Sequence, residues 1–342
     1  MGERPRRSRW ERLLVVTCVA AVLTLFIWDS FRRTAEPIAE MNQDTLLLRG
    51  DRQVLRLSDV GSGGALLIET TGPDPGSLCV SSDWSELWWR SGGVWGGSAD
   101  SGGSSILFAD AGGLSVVNRS TGDTEDSIGD IPAGGLVAGG FVLPCPTEGT
   151  WCVIRRDGHV RIVTSTPLRQ AGSLSVTGGV LDAAFDLATG SVIALNRAGF
   201  LEVLDVRGMQ VGSTIRLPPT ETEYDRVSAG GGFAYVTAYA ARSIIEVDVA
   251  SERIRELDLS VSAGARIAVS SDGTILCVGG VEAGTTRRPV ALCRVFERRG
   301  LVFTEVARGQ LADASHVARV SVSKRARTAY MGAGHRCLRV RF

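Results

Sequence analysis

The sequence predicts an all-β chain: a β-propeller of about seven four-stranded blades, with six as the alternative, preceded by one N-terminal transmembrane helix. Three observations carry this reading. Glycine is abundant, 42 of 342 residues, while aromatics make up only 6%. Glycine spread through Val/Ile/Leu-rich segments suits many short strands joined by tight turns and would disrupt helices. Short alternating segments recur roughly every 40–47 residues, the spacing at which small sheets stack into a ring. One charge-free apolar run stands near the start.

Residues 1–12 form a basic tail holding Arg4, Arg6, Arg7, Arg9 and Arg12. From Leu13 to Trp28 no residue is charged, and the stretch from Trp10 to Phe31 is long enough to cross a hydrocarbon core of about 30 Å. Residues 13–31 are therefore expected to be a signal anchor, with Trp10 and Trp28 near the two interfaces. Only Arg32 and Arg33 follow closely, so the charge bias keeps the N-terminus cytoplasmic and the remainder on the extracytoplasmic or lumenal side. The competing reading is a cleaved signal peptide, but Leu25, Phe26, Ile27 and Trp28 stand where small residues would be needed for cleavage. Glu3 and Glu11 oppose a mitochondrial presequence, and the start lacks the hydroxyl of a myristoylation site. Residues 32–43 read as a linker and 44–342 as the propeller.

Within the propeller the third strand of each blade is the clearest repeat. It begins at Leu114, Val160, Leu201, Ile244, Val290 and Cys337. One blade shows the full order: Tyr224-Asp-Arg-Val-Ser inside, then Phe233-Ala-Tyr-Val-Thr, then Ser243 to Asp248, then Arg253 to Leu259 as a solvated outer strand. Ser271-Asp272-Gly273 reads as the hairpin of the next blade. Val54 to Asp59 reads as a further third strand, and the Gly/Ser-rich Ser91–Ser105 as an insertion after it. The last blade ends after its third strand at Phe342. A strand at Thr45-Leu-Leu-Leu-Arg is expected to supply its fourth, closing the ring and hiding its edges.

Two repeats carry a resemblance to known proteins. Tyr235-Val236-Thr237-Ala238 followed by Ile245-Glu-Val-Asp-Val-Ala resembles the YVTN-type repeat, a relative of WD40-like propellers. His316 to Val322 with Thr328 to His335 is similar to a WD40 repeat without its Trp-Asp pair. The resemblance implies a fold and carries no catalytic residue with it. YVTN-like propellers also serve in dehydrogenase heavy chains and lactonases, so it leaves an enzymatic role open as the alternative.

The sequence offers little for chemistry. His159, His316 and His335 are its only histidines. With no H-x-x-x-H or C-x-x-C spacing, no metal is expected. The glycine pairs do not form a phosphate-cradling loop, and no cofactor is expected. Asp313, Ser315 and His316 are neighbours in sequence, which does not make a triad, and a structural hydrogen-bond network is the plainer reading. Six cysteines follow the apolar run. In a translocated domain they permit disulfides, with Cys145–Cys152 and Cys277–Cys293 as candidate pairs; the alternative is a set of small buried hydrophobes. Asn118-Arg119-Ser120 is a candidate glycosylation sequon.

Two surfaces are candidates for contact. Trp84, Trp88, Trp89 and Trp95 crowd together as blade core or as an aromatic binding patch. The second is electrostatic. Lys+Arg and Asp+Glu are both 37, so no overall field draws nucleic acid. The charge is uneven, however: residues 287–342 carry a net +10 and residues 34–286 a net −14. Arg319, Arg325, Arg327, Arg336, Arg339 and Arg341 are read as a basic sector facing anionic lipid head groups or an acidic membrane partner. The function expected is thus a non-enzymatic protein-binding or scaffold subunit of a membrane-associated complex. The alternative is an extracytoplasmic propeller enzyme.

Overall fold

The computed structural model describes residues 39–342, except 43, 60–64, 82, 93, 111–112, 130–139, 240, 260, 263 and 284–287. The expected anchor, residues 13–31, lies outside the described residues. No helix among those described is long and apolar enough to cross a membrane. The described chain is all-β.

Two strands come first, β1 (Ala39–Asn42) and β2 (Thr45–Leu48). Blade 1 follows as β3 (Gln53–Asp59), β4 (Leu66–Thr71), β5 (Gly76–Val80) and β6 (Glu86–Ser91). Blade 2 is β7 (Val94–Ala99), β8 (Ser105–Asp110), β9 (Gly113–Asn118) and β10 (Thr124–Ile128). Blade 3 holds β11 (Phe141–Pro144), β12 (Thr150–Ile154), β13 (His159–Ser165) and β14 (Leu168–Ser175), and blade 4 β15 (Val180–Asp186), β16 (Ser191–Asn196), β17 (Phe200–Asp205) and β18 (Gln210–Arg216). Blade 5 comprises β19 (Tyr224–Gly230), β20 (Phe233–Ala238), β21 (Ile244–Asp248) and β22 (Arg253–Leu257). In blade 6 these are β23 (Arg266–Val269), β24 (Ile275–Ala283), β25 (Pro289–Arg299) and β26 (Val302–Ala312). Blade 7 has β27 (Arg319–Ser323), β28 (Thr328–Ala333) and β29 (Arg336–Arg341).

Each blade is an antiparallel meander, and the seventh is completed from the other end of the chain. Its order is β1-β2-β29-β28-β27, with Thr45 opposite Leu338 and Leu47 opposite Arg336. The ring therefore has seven blades and closes as the sequence predicts, with β1 as an extra fifth strand. Leu46 and Leu48 are buried against Cys337, Tyr330 and Trp84, so closure is an apolar contact as well as a ladder. Asp44 adds an ion pair with Arg339 across the same seam, 3.2 Å.

Two blade-1 readings are corrected. Val54–Asp59 belongs to the inner strand β3, and the third strand is β5, buried along its whole length. The Gly/Ser-rich stretch read as an insertion contains β7, the inner strand of blade 2. Gly97 is small because an added Cβ would stand 2.7 Å from the Phe108 ring.

The disulfides are also corrected. Cys79, Cys145, Cys152, Cys277, Cys293 and Cys337 are all free and buried. In blade 6 Cys277 faces Val295 while Cys293 faces Gly279, an offset of two residues that leaves the sulfurs 3.5 Å apart. In blade 3 Leu143 faces Cys152, and the Cys145 amide donates to Thr150, again out of direct opposition. Burial pushes the thiols of Cys79 and Cys145 up to about 12. These are core side chains.

Candidate binding site in the central channel

The seven inner strands surround a channel, and its charged residues occupy one recurring position. In blades 1, 2, 4 and 5 the inner strand carries a bulge, after Val54, Val94, Val180 and Tyr224. The residue that resumes pairing is Arg56, Gly96, Asp182 and Arg226 respectively. In blades 6 and 7 the first paired residue of the inner strand is again arginine, Arg266 and Arg319. Four arginines and one aspartate thus stand at equivalent places around the ring. Arg56, Asp182 and Arg319 line a cavity of about 320 Å³ whose other walls include Leu57, Phe141, Val142, Ala183 and Ile267.

Each charge has a specific setting. Asp182 is buried, and one of its oxygens accepts from the Val227 N–H at 3.1 Å, while the other lies 3.7 Å from Arg319. Arg56 crosses in front of blade 2 to donate to the Gly140 carbonyl at 3.0 Å. Gly96 makes this possible, because a Cβ there would meet the Arg56 guanidinium at 2.7 Å. Arg266 pairs with Asp225 at 2.9 Å. Arg226 has no carboxylate within ion-pairing distance among the described residues. Its Nη1 donates to the Asp225 carbonyl, and its Nε is buried without a partner, as is the Nε of Arg266.

These settings shift the titrations. Burial first, then the neighbouring Arg319, pushes Arg226 down to about 10. Burial likewise lowers Arg56, against the pull of Glu69. Glu69 on β4 lies behind the ring, 3.8 Å from the Arg56 Nε, and neither of its buried oxygens has a hydrogen-bond partner among the described residues. Burial pushes its carboxyl up, opposed by Arg56.

The residues singled out from sequence fall in different places. Arg319 is in the ring. Arg339 is buried between Asp44 and the Trp84 ring, 5.4 Å from its centroid. Arg327 donates to the Phe342 carbonyl, and Arg325 is exposed in the same turn. Arg341 is exposed at the end of β29, and Arg336 starts that strand on the opposite face and donates to the Ala312 carbonyl. They do not form a single sector. Trp84 and Trp88 are core residues; Trp88 packs edge-on to Phe108 and donates to the Arg119 carbonyl at 2.7 Å, while Trp89 is half-buried under Arg52. Trp95 stands in β7. Asn118 is half-buried, its side chain folded into its own turn by bonds to Ser120, Thr121 and Glu125. His159 is exposed at the start of β13, His316 in the loop before β27 and His335 in the turn before β29. Asp313 pairs with Arg288, and no hydrogen bond joins Asp313, Ser315 and His316 among the described residues.

Sequence reasoning missed Arg56, Asp182, Arg226 and Arg266. A signal was present: Arg56-Leu-Ser, Arg226-Val-Ser, Arg266-Ile-Ala and Arg319-Val-Ser repeat one tripeptide pattern on four inner strands. No family model and no curated protein matches the chain. Fold and site together define a seven-bladed β-propeller with an arginine-ringed channel.

Proposed function

We propose that this chain is a single-pass, membrane-anchored propeller acting as a non-enzymatic binding subunit that holds a membrane or extracytoplasmic partner. The observation that carries this reading is the arginine at one register position of four blades. Arginine stays protonated at neutral pH, so such a ring binds and orients anionic groups without exchanging protons. The anchor rests on the sequence, from the apolar run at residues 13–31 and the arginines that precede it.

The partner is assigned to the face where the chain enters the ring. Ala39 pairs with Leu48, Leu47 with Arg336, and Arg319 with Gly332, so the start of β1 and the starts of the inner strands share one face. Anionic head groups, if they meet the propeller, meet it there, while Arg325, Arg327 and Arg341 look away. Full-length chain cross-linked in membranes should co-purify with a discrete partner. Protease added to sealed right-side-out vesicles should leave only a fragment of about the first thirty residues. Recovery of the bare chain alone, or a protected propeller, would overturn the reading.

The enzymatic alternative has one observation in its favour. Glu69 is a buried carboxyl with a raised titration, paired with Arg56 on the cavity wall, and perturbed titrations of this kind cluster at functional sites. If the chain turns over a substrate, Glu69→Gln should abolish that turnover.

A further inference from the structure

We propose that the arginine-ringed end of the channel binds the carboxylate head of a compact organic acid, either free or as the C-terminus of a partner chain. This rests on the binding reading above and names what is bound. Arg226, Arg266 and Arg319 come from three consecutive blades at one level of the channel. Two of them hold a buried Nε–H that no group among the described residues accepts, and Arg319 has only the distant Asp182. Buried donors without acceptors are uncommon, and an oxyanion between neighbouring guanidinium groups would satisfy them.

The charge favours a monoanion. Four ring arginines are opposed by Asp182 in the ring and by Asp225 and Glu69 behind it, so the surplus is small. Asp182 is pinned by the Val227 N–H and cannot swing away, so a dianion such as phosphate would meet it. A carboxylate brings one charge and two coplanar oxygens that match the edge of a guanidinium. Of the three arginines, Arg319 lines the cavity, together with Arg56 and Asp182, while Arg226 and Arg266 precede the lining residues Val227 and Ile267. The apolar wall at Leu57, Val142, Ala183 and Ile267 is where a short hydrocarbon body would lie. A cavity of about 320 Å³ at this end accommodates a short body of this kind.

The test uses the full chain in nanodiscs and calorimetric titration with butyrate, butyramide and inorganic phosphate. Acetyl-Ala-Val as the free acid and as the amide supplies the peptide arm. Butyrate is expected to bind saturably and butyramide not at all. Arg226→Gln and Arg319→Gln should each weaken butyrate at least tenfold, whereas Arg327→Gln, on the far face, should leave it unchanged. If either Gln variant fails to fold, Arg226→Lys keeps the charge, loses the planar fork, and is expected to weaken binding several-fold. A peptide acid tighter than butyrate identifies a partner's C-terminus as the source, and the reverse order a free acid. No saturable binding, equal binding in the variants, or a preference for phosphate would overturn the site. The two proposals fail separately. Loss of acid binding with the partner still co-purifying removes the site alone, and butyrate consumed rather than recovered removes the non-enzymatic reading alone.

Discussion

Glu69 shows at a single residue what the channel demands of its surroundings. Burial favours the neutral form of this carboxyl, and Arg56, the Gly97 backbone and Arg319 resist this. Its folded titration lies above the unfolded value, so the stability it contributes is complete below about pH 4.5 and is lost as pH rises through the folded pKa. Glu69→Gln should therefore flatten the pH dependence, the wild type gaining on the variant by about 1.4 kcal/mol per unit of elevation as pH falls from 7 to 4. Parallel urea-denaturation curves across that range would refute the assignment. Arg226 has the opposite sense. Its folded titration of about 10 lies below the ordinary arginine value, so folding with this group charged is opposed at neutral pH and relieved only above about 10. Arg226→Gln is expected to hold or raise stability by on the order of 1 kcal/mol, as the binding proposal requires of this residue. A melting temperature several degrees lower would instead make Arg226 structural. The ring was legible only as the tripeptide Arg-(Leu/Val/Ile)-(Ser/Ala). Arg319 stood out in the sequence for the charge of its region, whereas its structural importance comes from its register.

At the level of elements, the sequence was most readable where the 40–47-residue spacing of the third strands recurs. The third strands β13, β17, β21, β25 and β29 begin within one residue of where alternation places them. The missed third strand, β5, starts at Gly76, 37 residues before β9 at Gly113 and so outside that spacing, and Val54–Asp59 offered a clearer alternation nearby. β7 was missed for a separate reason, since Gly96 and Gly97 make room for Arg56 and Phe108 and imitate a flexible loop. Between blades, an aspartate in the first hairpin repeatedly reaches the next blade. Asp100 accepts from the Gly149 N–H, Asp186 from the Gly232 N–H, and Asp272 pairs with Lys324. Asp186 is fully buried and also accepts from Thr189, so Asp186→Ala is expected to lose about 1–3 kcal/mol in a chemical unfolding titration. Closure is the costlier seam. Leu46→Ala or Leu48→Ala should each remove about 2–5 kcal/mol and expose β29 to protease before the other blades. Cleavage starting instead in blades 3 to 5 would show that β2 does not govern opening.

The whole molecule adds a direction that the composition conceals. The excess of basic residues near the C-terminus is shared between two faces and the interior, because β28 and β29 run in opposite directions and place Arg327 and Arg336 at opposite ends of blade 7. What orients the propeller is therefore the point where the chain enters it. If residues 13–31 cross the bilayer, residues 32–38 span at most about 25 Å before Ala39, whose face is that of His335, Ser315 and the mouth ringed by arginine. On the proposed anchoring that face stays near the membrane, within reach of an anionic group of the partner or the lipid, and the Arg325 turn points away from it. Single-cysteine labelling measures this directly, since the native propeller thiols are buried and only Cys18 need be replaced by serine. A fluorophore at Ser315→Cys should be quenched by a lipid-borne quencher in nanodiscs, and the same fluorophore at Arg325→Cys should be quenched far less. Equal quenching at the two positions, or stronger quenching at Arg325→Cys, would mean that the propeller does not present its arginine ring to the bilayer.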